Sequence, residues 1–215
     1  MESFLGPIKN AWIKEFQKSR VRWAWIIAML GLVGIAIFSD EFFHWVEGRP
    51  GNQLHDPLLA QLPSQDLSYP IFALLYLALV YLILRLSKEP KLFLWFVWAF
   101  LLETGLRFTC IALIPLDPPL GLLPLRDPLL EYLVYGENQY ITKDLFFSGH
   151  TATMVFVAYF LPSLKERIVG GMALLAIMGF LMIQHIHYSL DIFAALPLTW
   201  VCIWISKKGL ATFLS

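Results

Sequence analysis

The sequence predicts an all-α protein, a polytopic membrane domain built as a bundle of six transmembrane helices. Three observations lead to this fold class. The chain of 215 residues is 58% hydrophobic with a mean hydropathy of +0.65 and only 15% charged residues, far from an average soluble domain. Six long apolar windows follow one another. The basic residues fall in alternate gaps between these windows, as expected for a chain that crosses a bilayer repeatedly.

Each predicted span has about the length that crosses a bilayer, roughly 17–25 mostly apolar residues. The windows are Trp23–Ser39, Leu67–Leu84, Lys91–Leu116, Leu145–Leu164, Ile168–Leu190 and Ile192–Ser206. Charged residues interrupt the third window at Glu103 and Arg107. The first window lacks a small-residue cleavage site, so we expect it to remain as a span and not to be removed as a signal peptide.

The basic residues predict the orientation of the bundle. Of the 16 Lys and Arg residues, 12 lie on one side of a six-span chain. They are Lys9, Lys14, Lys18, Arg20, Arg22, Arg85, Lys88, Lys91, Lys165, Arg167, Lys207 and Lys208. Because positive residues concentrate on the cytoplasmic side, both termini are expected there. The gaps after spans one, three and five then face away from the cytoplasm.

The division of the chain follows from the same pattern. Residues 1–22 read as a cytoplasmic amphipathic segment, in which Ile8, Trp12 and Phe16 recur at helical spacing among lysines. Residues 23–206 form the predicted six-helix membrane domain. The formal net charge is zero, which gives no basic surface for nucleic acid, and the expected partners are membrane lipids. The compact chain favours a bacterial inner membrane.

Two short motifs carry the predicted chemistry. Ser148-Gly149-His150-Thr151 opens the fourth window, and the run from His187 to Asp191 joins the fifth to the sixth. The predicted topology puts both motifs on the same outer surface, although 37 residues separate His150 from His187. Histidine is suited to proton transfer and phosphoryl capture near neutral pH. The two motifs therefore predict phosphate chemistry on lipids.

Each residue type has a chemical reason. Asp191 could accept the N–H of His187 and stabilise the imidazolium formed when His187 attacks phosphorus. His150 could give a proton to the leaving alkoxide and later take one from the incoming hydroxyl. Ser148 and Gly149 lie at a helix start, where free N–H groups attract phosphate. Arg107, the basic residue inside a span, is a further phosphate-binding candidate.

Other readings of the same residues remain open. Arg107 could simply pair with Glu103 four residues earlier, and Asp144 could cap the start of span four. His185 has no matched partner in sequence and reads as a satisfied polar contact. A metal site built from the histidines and Asp191 is conceivable. Phosphoryl transfer through histidine needs no metal or cofactor, and the chain lacks a carboxylate cluster for magnesium, so neither is expected.

The motifs resemble those of a known family. The run from Asp144 to Thr151 resembles the Asp-x-x-x-Ser-Gly-His-Thr motif of sphingomyelin synthases, and the run from His187 to Asp191 resembles their His-Tyr-x-x-Asp motif. Both belong to the wider superfamily of type 2 phosphatidic acid phosphatases. Arg107-Phe108-Thr109 is loosely similar to the arginine motif of the third helix, and 55–63 is weakly similar to a first-loop motif. The resemblance covers about residues 50–200.

The resemblance implies a six-helix bundle whose active site faces away from the cytoplasm. It implies a catalytic triad of His150, His187 and Asp191, with His187 as nucleophile and His150 as acid and base. Supporting roles fall to Asp144, Glu103 and Tyr188. The implied reaction moves a phosphocholine or phosphoethanolamine headgroup from a membrane phospholipid to a lipid alcohol of the ceramide or diacylglycerol type.

Departures from the phosphatase branch favour this transferase reading. Phe147 stands where that branch has proline before Ser148, and Phe180 and Leu181 stand where it has a Ser-Arg pair. The alternative is a lipid phosphatase or a hydrolase like phospholipase C, in which water is the acceptor. A transporter or scaffold is a third class, but the sequence shows no inverted repeat of the kind that transporters use.

Overall fold

The computed structural model describes residues 2–127 and 141–215, with side chains described from residue 6 onward. In these ranges the regular structure is helical, apart from a 3₁₀ turn at Leu59–Gln61 and one isolated β-bridge. The helices are α1 (Glu2–Phe16), α2 (Ser19–Gly48), α3 (Ser68–Leu86), α4 (Pro90–Leu113), α5 (Gly149–Phe160), α6 (Leu164–Ile183) and α7 (Ser189–Leu214). The predicted all-helical class is confirmed for this part of the chain.

Five of these helices, α2, α3, α4, α6 and α7, are long and apolar enough to cross a membrane. The predicted count of six spans is not confirmed, because α5 has only 12 residues. It begins after Ser148, whose side chain accepts the Thr151 N–H. It ends at Phe160, two residues before Pro162, which limits Leu161 to extended backbone. The apolar window around α5 is thus longer than the helix.

Helix α4 lies at the centre of the bundle and packs against α7 on one side and α2 on another. Helix α5 packs mainly on α6 and also contacts α3 and α7. One continuous core of buried apolar side chains joins α2, α3, α4, α5, α6 and α7. Because the helices alternate in direction, the end of α4 and the starts of α5 and α7 come together at one end of the bundle. We call this the site end.

The opposite end of the bundle, which we call the basic end, gathers the start of α4 and the end of α7. Helix α1 docks there: the Trp12 indole lies 5.5 Å from the Trp25 ring, and its N–H donates to the Ser87 carbonyl at 2.7 Å. Helix α2 starts four residues before Trp23, and α7 continues to Leu214. The predicted division between residues 1–22 and 23–206 stays a prediction.

The two loops of the site end are joined to each other. Asn52 and Leu116 form a parallel β-bridge, with the Asn52 N–H donating to the Pro115 carbonyl at 2.9 Å. A Cβ atom at Gly51 would lie 2.4 Å from the backbone of Leu116, so this approach requires glycine. The loop after α2 and the loop after α4 therefore form one layer over the site end.

Candidate active site

The two histidine motifs meet at the site end through a backbone hydrogen bond. The Ser148 N–H donates to the Asp191 carbonyl at 3.2 Å, which ties the start of α5 to the start of α7. Ser148 is fully buried, and its hydroxyl accepts from the backbone N–H and the hydroxyl of Thr151 at 3.3 and 3.1 Å. Ser148 is thus the N-cap of α5, and its backbone fixes the register between the motifs.

His187 and Asp191 face each other in a buried pocket. The distance from His187 Nδ1 to Asp191 Oδ2 is 3.7 Å, and the two residues are only 3% and 0% exposed. This separation exceeds a hydrogen bond, and His187 Nδ1 and Asp191 Oδ1 have no hydrogen-bond partner among the described residues. Asp191 Oδ2 also accepts the Tyr188 N–H at 3.1 Å. Asp191 is therefore held at the start of α7 with its carboxylate directed at His187.

His150 lies on the first turn of α5, next to His187. The centroids of the two imidazole rings are 6.1 Å apart and the ring planes are inclined by 65°. The Phe72 ring is also 6.1 Å from His150 and packs edge-on against it. His150 is half-buried, whereas His187 is buried. A phosphate group of a few ångströms could therefore contact both imidazoles.

Arg107 approaches this site from α4. Its Nε donates to the Phe147 carbonyl at 2.9 Å, and Nη2 donates to Asp144 Oδ1 at 2.5 Å. The guanidinium lies directly against Gly149, where a Cβ atom would be 2.7 Å from Cζ and Nη1. The N–H groups of Gly149 and His150 lie in the first turn of α5, which provides no intrahelical acceptor for them. Arg107 and this helix start thus present donors to the same region.

The supporting carboxylates occupy different positions around Arg107. Asp144 forms the close ion pair, while Glu103 Oε1 is 3.9 Å from Arg107 Nε and accepts no hydrogen bond among the described residues. The main ion-pair partner of Arg107 is therefore Asp144, and the alternative in which Arg107 simply pairs with Glu103 fits the structure less well. Ser148, and not Asp144, caps α5. Asp144 instead orients the guanidinium.

Tyr188 joins the site to the loop layer. Its hydroxyl donates to the Asp117 carbonyl at 2.8 Å and accepts the Leu54 N–H at 3.1 Å. Tyr188 is 1% exposed, and burial raises the pKa of its hydroxyl. Tyr188 therefore touches both loops while its neighbour His187 enters the pocket. The structural contribution of Tyr188 is to connect the two loops to the start of α7.

Sequence reasoning did not select Asp56 as a site residue. Its Oδ2 accepts the Ser189 N–H at 2.6 Å, at the first residue of α7, and Oδ1 accepts the N–H groups of Leu58 and Leu59. Partial burial acts to raise the pKa of Asp56, but hydrogen bonds from Ser189, Leu59 and Leu58 outweigh burial and lower that pKa. No local pattern could have found a contact between residues so far apart in sequence.

His185, one of the histidines outside the two motifs, has a backbone role. His185 adopts φ +56° at the end of α6, and its Nδ1 lies 3.1 Å from the Leu120 carbonyl. It thereby turns the chain from α6 towards α7. Within residues 2–127 and 141–215, no three His, Cys, Asp or Glu side chains are grouped so that they could hold a metal ion.

The described helices thus form a bundle in which five helices are long and apolar enough to cross a membrane, with His150, His187 and Asp191 gathered at one end. A family model described as "PAP2 superfamily C-terminal" matches residues 143–208. This region contains α5, α6, most of α7 and both histidine motifs. The match covers 66 of the 215 residues, and it makes this part of the chain similar to the PAP2 (type 2 phosphatidic acid phosphatase) superfamily. No curated protein matches the chain.

Proposed function

We propose that this protein is a membrane lipid phosphotransferase, resembling sphingomyelin synthases, that moves a phospholipid headgroup through a phospho-histidine intermediate. One observation carries the proposal. Two imidazoles lie 6.1 Å apart, one of them beside a buried carboxylate, at a helix start that also faces an arginine guanidinium. This is the set of groups needed for attack at phosphorus, proton transfer and stabilisation of phosphate charge.

In the first half-reaction, Nε2 of His187 attacks the phosphorus of the donor phospholipid. Asp191 lies on the Nδ1 side of the ring, where a carboxylate favours the tautomer with a proton on Nδ1 and a free electron pair on Nε2. The new P–N bond forms while the P–O bond to diacylglycerol breaks. His150 donates its proton to that departing oxygen. The headgroup phosphate remains on His187, and diacylglycerol leaves.

In the second half-reaction, the hydroxyl of an acceptor lipid such as ceramide attacks the phospho-histidine. His150, now neutral, removes the hydroxyl proton as the new P–O bond forms and the P–N bond breaks. His187 returns to its starting state, and His150 is again protonated. The proton count therefore closes over one cycle without another reactant.

Arg107 and the first turn of α5 stabilise the phosphate oxygens during both steps. The guanidinium is fixed by Asp144 and by the Phe147 carbonyl, which leaves other N–H donors for phosphate. Donors fixed before reaction avoid the cost of reorganisation as charge develops. Glu103 remains a second carboxylate beside Arg107 and helps to balance its charge in a buried site.

The competing function is a lipid phosphatase or a hydrolase like phospholipase C, with water in place of the lipid alcohol. Both functions share the first half-reaction, and they differ in what reaches the phospho-histidine. The replacement of the phosphatase-type Ser-Arg pair by Phe180 and Leu181 favours the transferase. The loop layer contributes hydrogen bonds to Tyr188 and Ser189 beside the site. The proposed orientation places this end on the non-cytoplasmic face of a bacterial inner membrane.

The test uses purified protein and phosphatidylcholine labelled in its headgroup, with and without ceramide or diacylglycerol. We expect label to move into a lipid product, and the His187→Ala variant to lose at least about 10³-fold in turnover because the nucleophile is removed. His44→Gln is the matched control, since His44 is exposed on α2. Release of label only as soluble phosphocholine would contradict the transferase proposal and favour the hydrolase. Full turnover by His187→Ala would exclude both.

A further inference from the structure

The basic end contains a cavity that the proposed reaction does not use. It has a volume of about 660 Å³ and lies between α1, α2, α4 and α7. Its lining includes four basic side chains and one carboxylate, so its formal charge is +3. They are Lys18, Arg20, Lys91, Lys207 and Glu15. A concave surface with this excess of positive charge attracts anions.

The positions of these basic groups are set by specific contacts. Glu15 is 8% exposed and holds two ammonium groups, with Lys18 Nζ at 2.9 Å and Lys91 Nζ at 3.7 Å. Lys207 Nζ lies 4.9 Å from the centre of the Trp95 ring. The Trp95 indole is itself fixed, because its N–H contacts the Ile203 carbonyl and the Ser206 hydroxyl. The cavity therefore gathers cations that one carboxylate does not neutralise.

An apolar cavity of about 510 Å³ adjoins the basic one along the same two helices. The two cavities share Leu210. On α4 the apolar cavity is lined by residues further from the basic end, whereas on α7 the two linings overlap and the cavities lie side by side. Its lining includes Trp98, Leu101, Leu102, Ile205, Gly209 and Phe213. Charged and apolar surfaces are thus continuous, in the order in which a phospholipid presents its headgroup and its acyl chain.

We propose that this cleft between α4 and α7 binds one anionic glycerophospholipid. The phosphate-bearing headgroup occupies the basic cavity, and one acyl chain lies along the apolar cavity. Tryptophan side chains beside the cleft match the boundary between headgroups and acyl chains, and basic pockets between membrane helices are suited to anionic headgroups.

The cleft is separate from the candidate active site. Lys91 precedes Arg107 by 16 residues on α4, and Lys207 follows Asp191 by 16 residues on α7. At about 1.5 Å of rise per residue, each pair is about 24 Å apart along the helix. The phosphate of a lipid bound in the basic cavity is therefore too far from His187 to react with it. The bound lipid would instead connect α1, α2, α4 and α7 at the opposite membrane surface.

The test measures lipid binding to the full chain carrying His187→Ala, so that no lipid is turned over. Native mass spectrometry in neutral detergent compares dioleoyl phosphatidylglycerol with dioleoyl phosphatidylcholine. We expect preferential retention of phosphatidylglycerol, and Arg20→Gln with Lys91→Gln should weaken its binding roughly fivefold for each charge removed. The matched control is Lys165→Gln with Lys208→Gln, which removes the same charge from residues outside the cleft. Equal losses in both double variants would overturn the site.

A second variant tests the acyl chain without changing charge. A Cβ at Gly209 meets no atom within 4 Å, so Gly209→Leu is expected to fold and to fill part of the apolar cavity. Gly171→Leu on α6 is the control, because a Cβ there is equally unobstructed. If phosphatidylglycerol binding weakens in Gly209→Leu but not in Gly171→Leu, the result supports an acyl chain in the apolar cavity. If sn-glycerol 3-phosphate competes as well as the intact lipid, the site takes a soluble anion and the lipid proposal fails.

Discussion

The site end and the basic end place charge on the same two helices in opposite ways. At the site end, the Arg107 side chain is 11% exposed and Asp191 is fully buried, and each has fixed partners. At the basic end, the Lys91 side chain is 75% exposed. Buried charges interact strongly and lose much if a partner is removed, whereas exposed pairs are weakened by solvent. The charges at the site end are therefore fixed and shielded from solvent, whereas Lys91 at the basic end is largely in solvent.

The largest expected effect in this comparison follows His150→Gln. Removing a general acid costs about 10²–10⁴-fold in rate, so we expect turnover of phosphatidylcholine to fall by that factor. The loss should be much smaller for the first-turnover release of p-nitrophenolate from p-nitrophenyl phosphate, because that leaving group needs no proton, whereas later turnovers still need His150 as the base. Parallel assays of the two substrates check this. An equal loss on both would assign His150 to binding instead of proton transfer.

Gly149→Ala tests the close contact between α5 and Arg107. The added methyl would lie 2.7 Å from the guanidinium, so Arg107 must move away from the helix start. We expect turnover to fall by about 10²–10³-fold, as for the loss of one donor to the developing charge. Gly105→Ala on α4 is the control, because its Cβ meets no atom within 4 Å. Activity near wild type in Gly149→Ala would show that Arg107 does not act from this position.

Asp56→Asn tests how the loop layer holds the start of α7. The Asp56 carboxylate accepts hydrogen bonds from backbone N–H groups. A hydrogen bond to a charged group contributes about 1.5–3 kcal/mol to the free energy of unfolding, so we expect a lower unfolding temperature for Asp56→Asn at pH 7. The pKa of Asp56 is lowered in the fold, which means that its contribution is complete above its unfolded pKa of about 3.9 and is lost as pH falls through the folded value.

The difference in unfolding temperature between wild type and Asp56→Asn should therefore narrow below about pH 4. Differential scanning fluorimetry over pH 3–8 measures it. His55→Gln provides the control, since His55 is the exposed neighbour of Asp56. A difference that stays constant across this range would mean that the Asp56 charge is irrelevant to holding α7.

The smallest effect is expected at the basic end, from Glu15→Gln. Its partners Lys18 and Lys91 are 49% and 75% exposed, and exposed ion pairs contribute about 0–1 kcal/mol. We expect the unfolding temperature to change by only a few degrees at most. Thermal unfolding in detergent checks this. A loss as large as that of Asp56→Asn would show that the two ends do not differ as described.

The helical fold and the meeting of the two motifs were predictable because each rests on a simple pattern. Hydropathy windows located the helices, and alternating charge predicted that His150 and His187 lie at one end of the bundle. The length of α5 was not predictable from hydropathy, which does not distinguish an apolar helix from the apolar but non-helical run at Leu145 to Phe147. Backbone hydrogen bonds, and not composition, decide where that helix begins.

Contacts between residues far apart in the sequence also could not be predicted from it. Asp56 reaches Ser189 across 133 positions, and Tyr188 reaches Leu54 across 134. Neither contact follows a helical or strand period, so no local pattern encodes it. The role of Asp144 was predicted only as supporting, because a carboxylate before a helix is as suited to capping as to pairing with arginine. The ion pair with Arg107 decides between these roles.

The short α5 bears on how the protein meets the bilayer. Its 12 residues span about 18 Å, against a hydrocarbon core of about 30 Å. The backbone before it is shielded by protein, since Leu145, Phe147 and Ser148 are buried. None of the 12 residues of α5 is exposed, so lipid contacts the longer helices around α5 and not α5 itself. The bilayer therefore keeps the thickness that the long helices set, and the non-helical backbone before α5 is tolerated at membrane depth because protein encloses it.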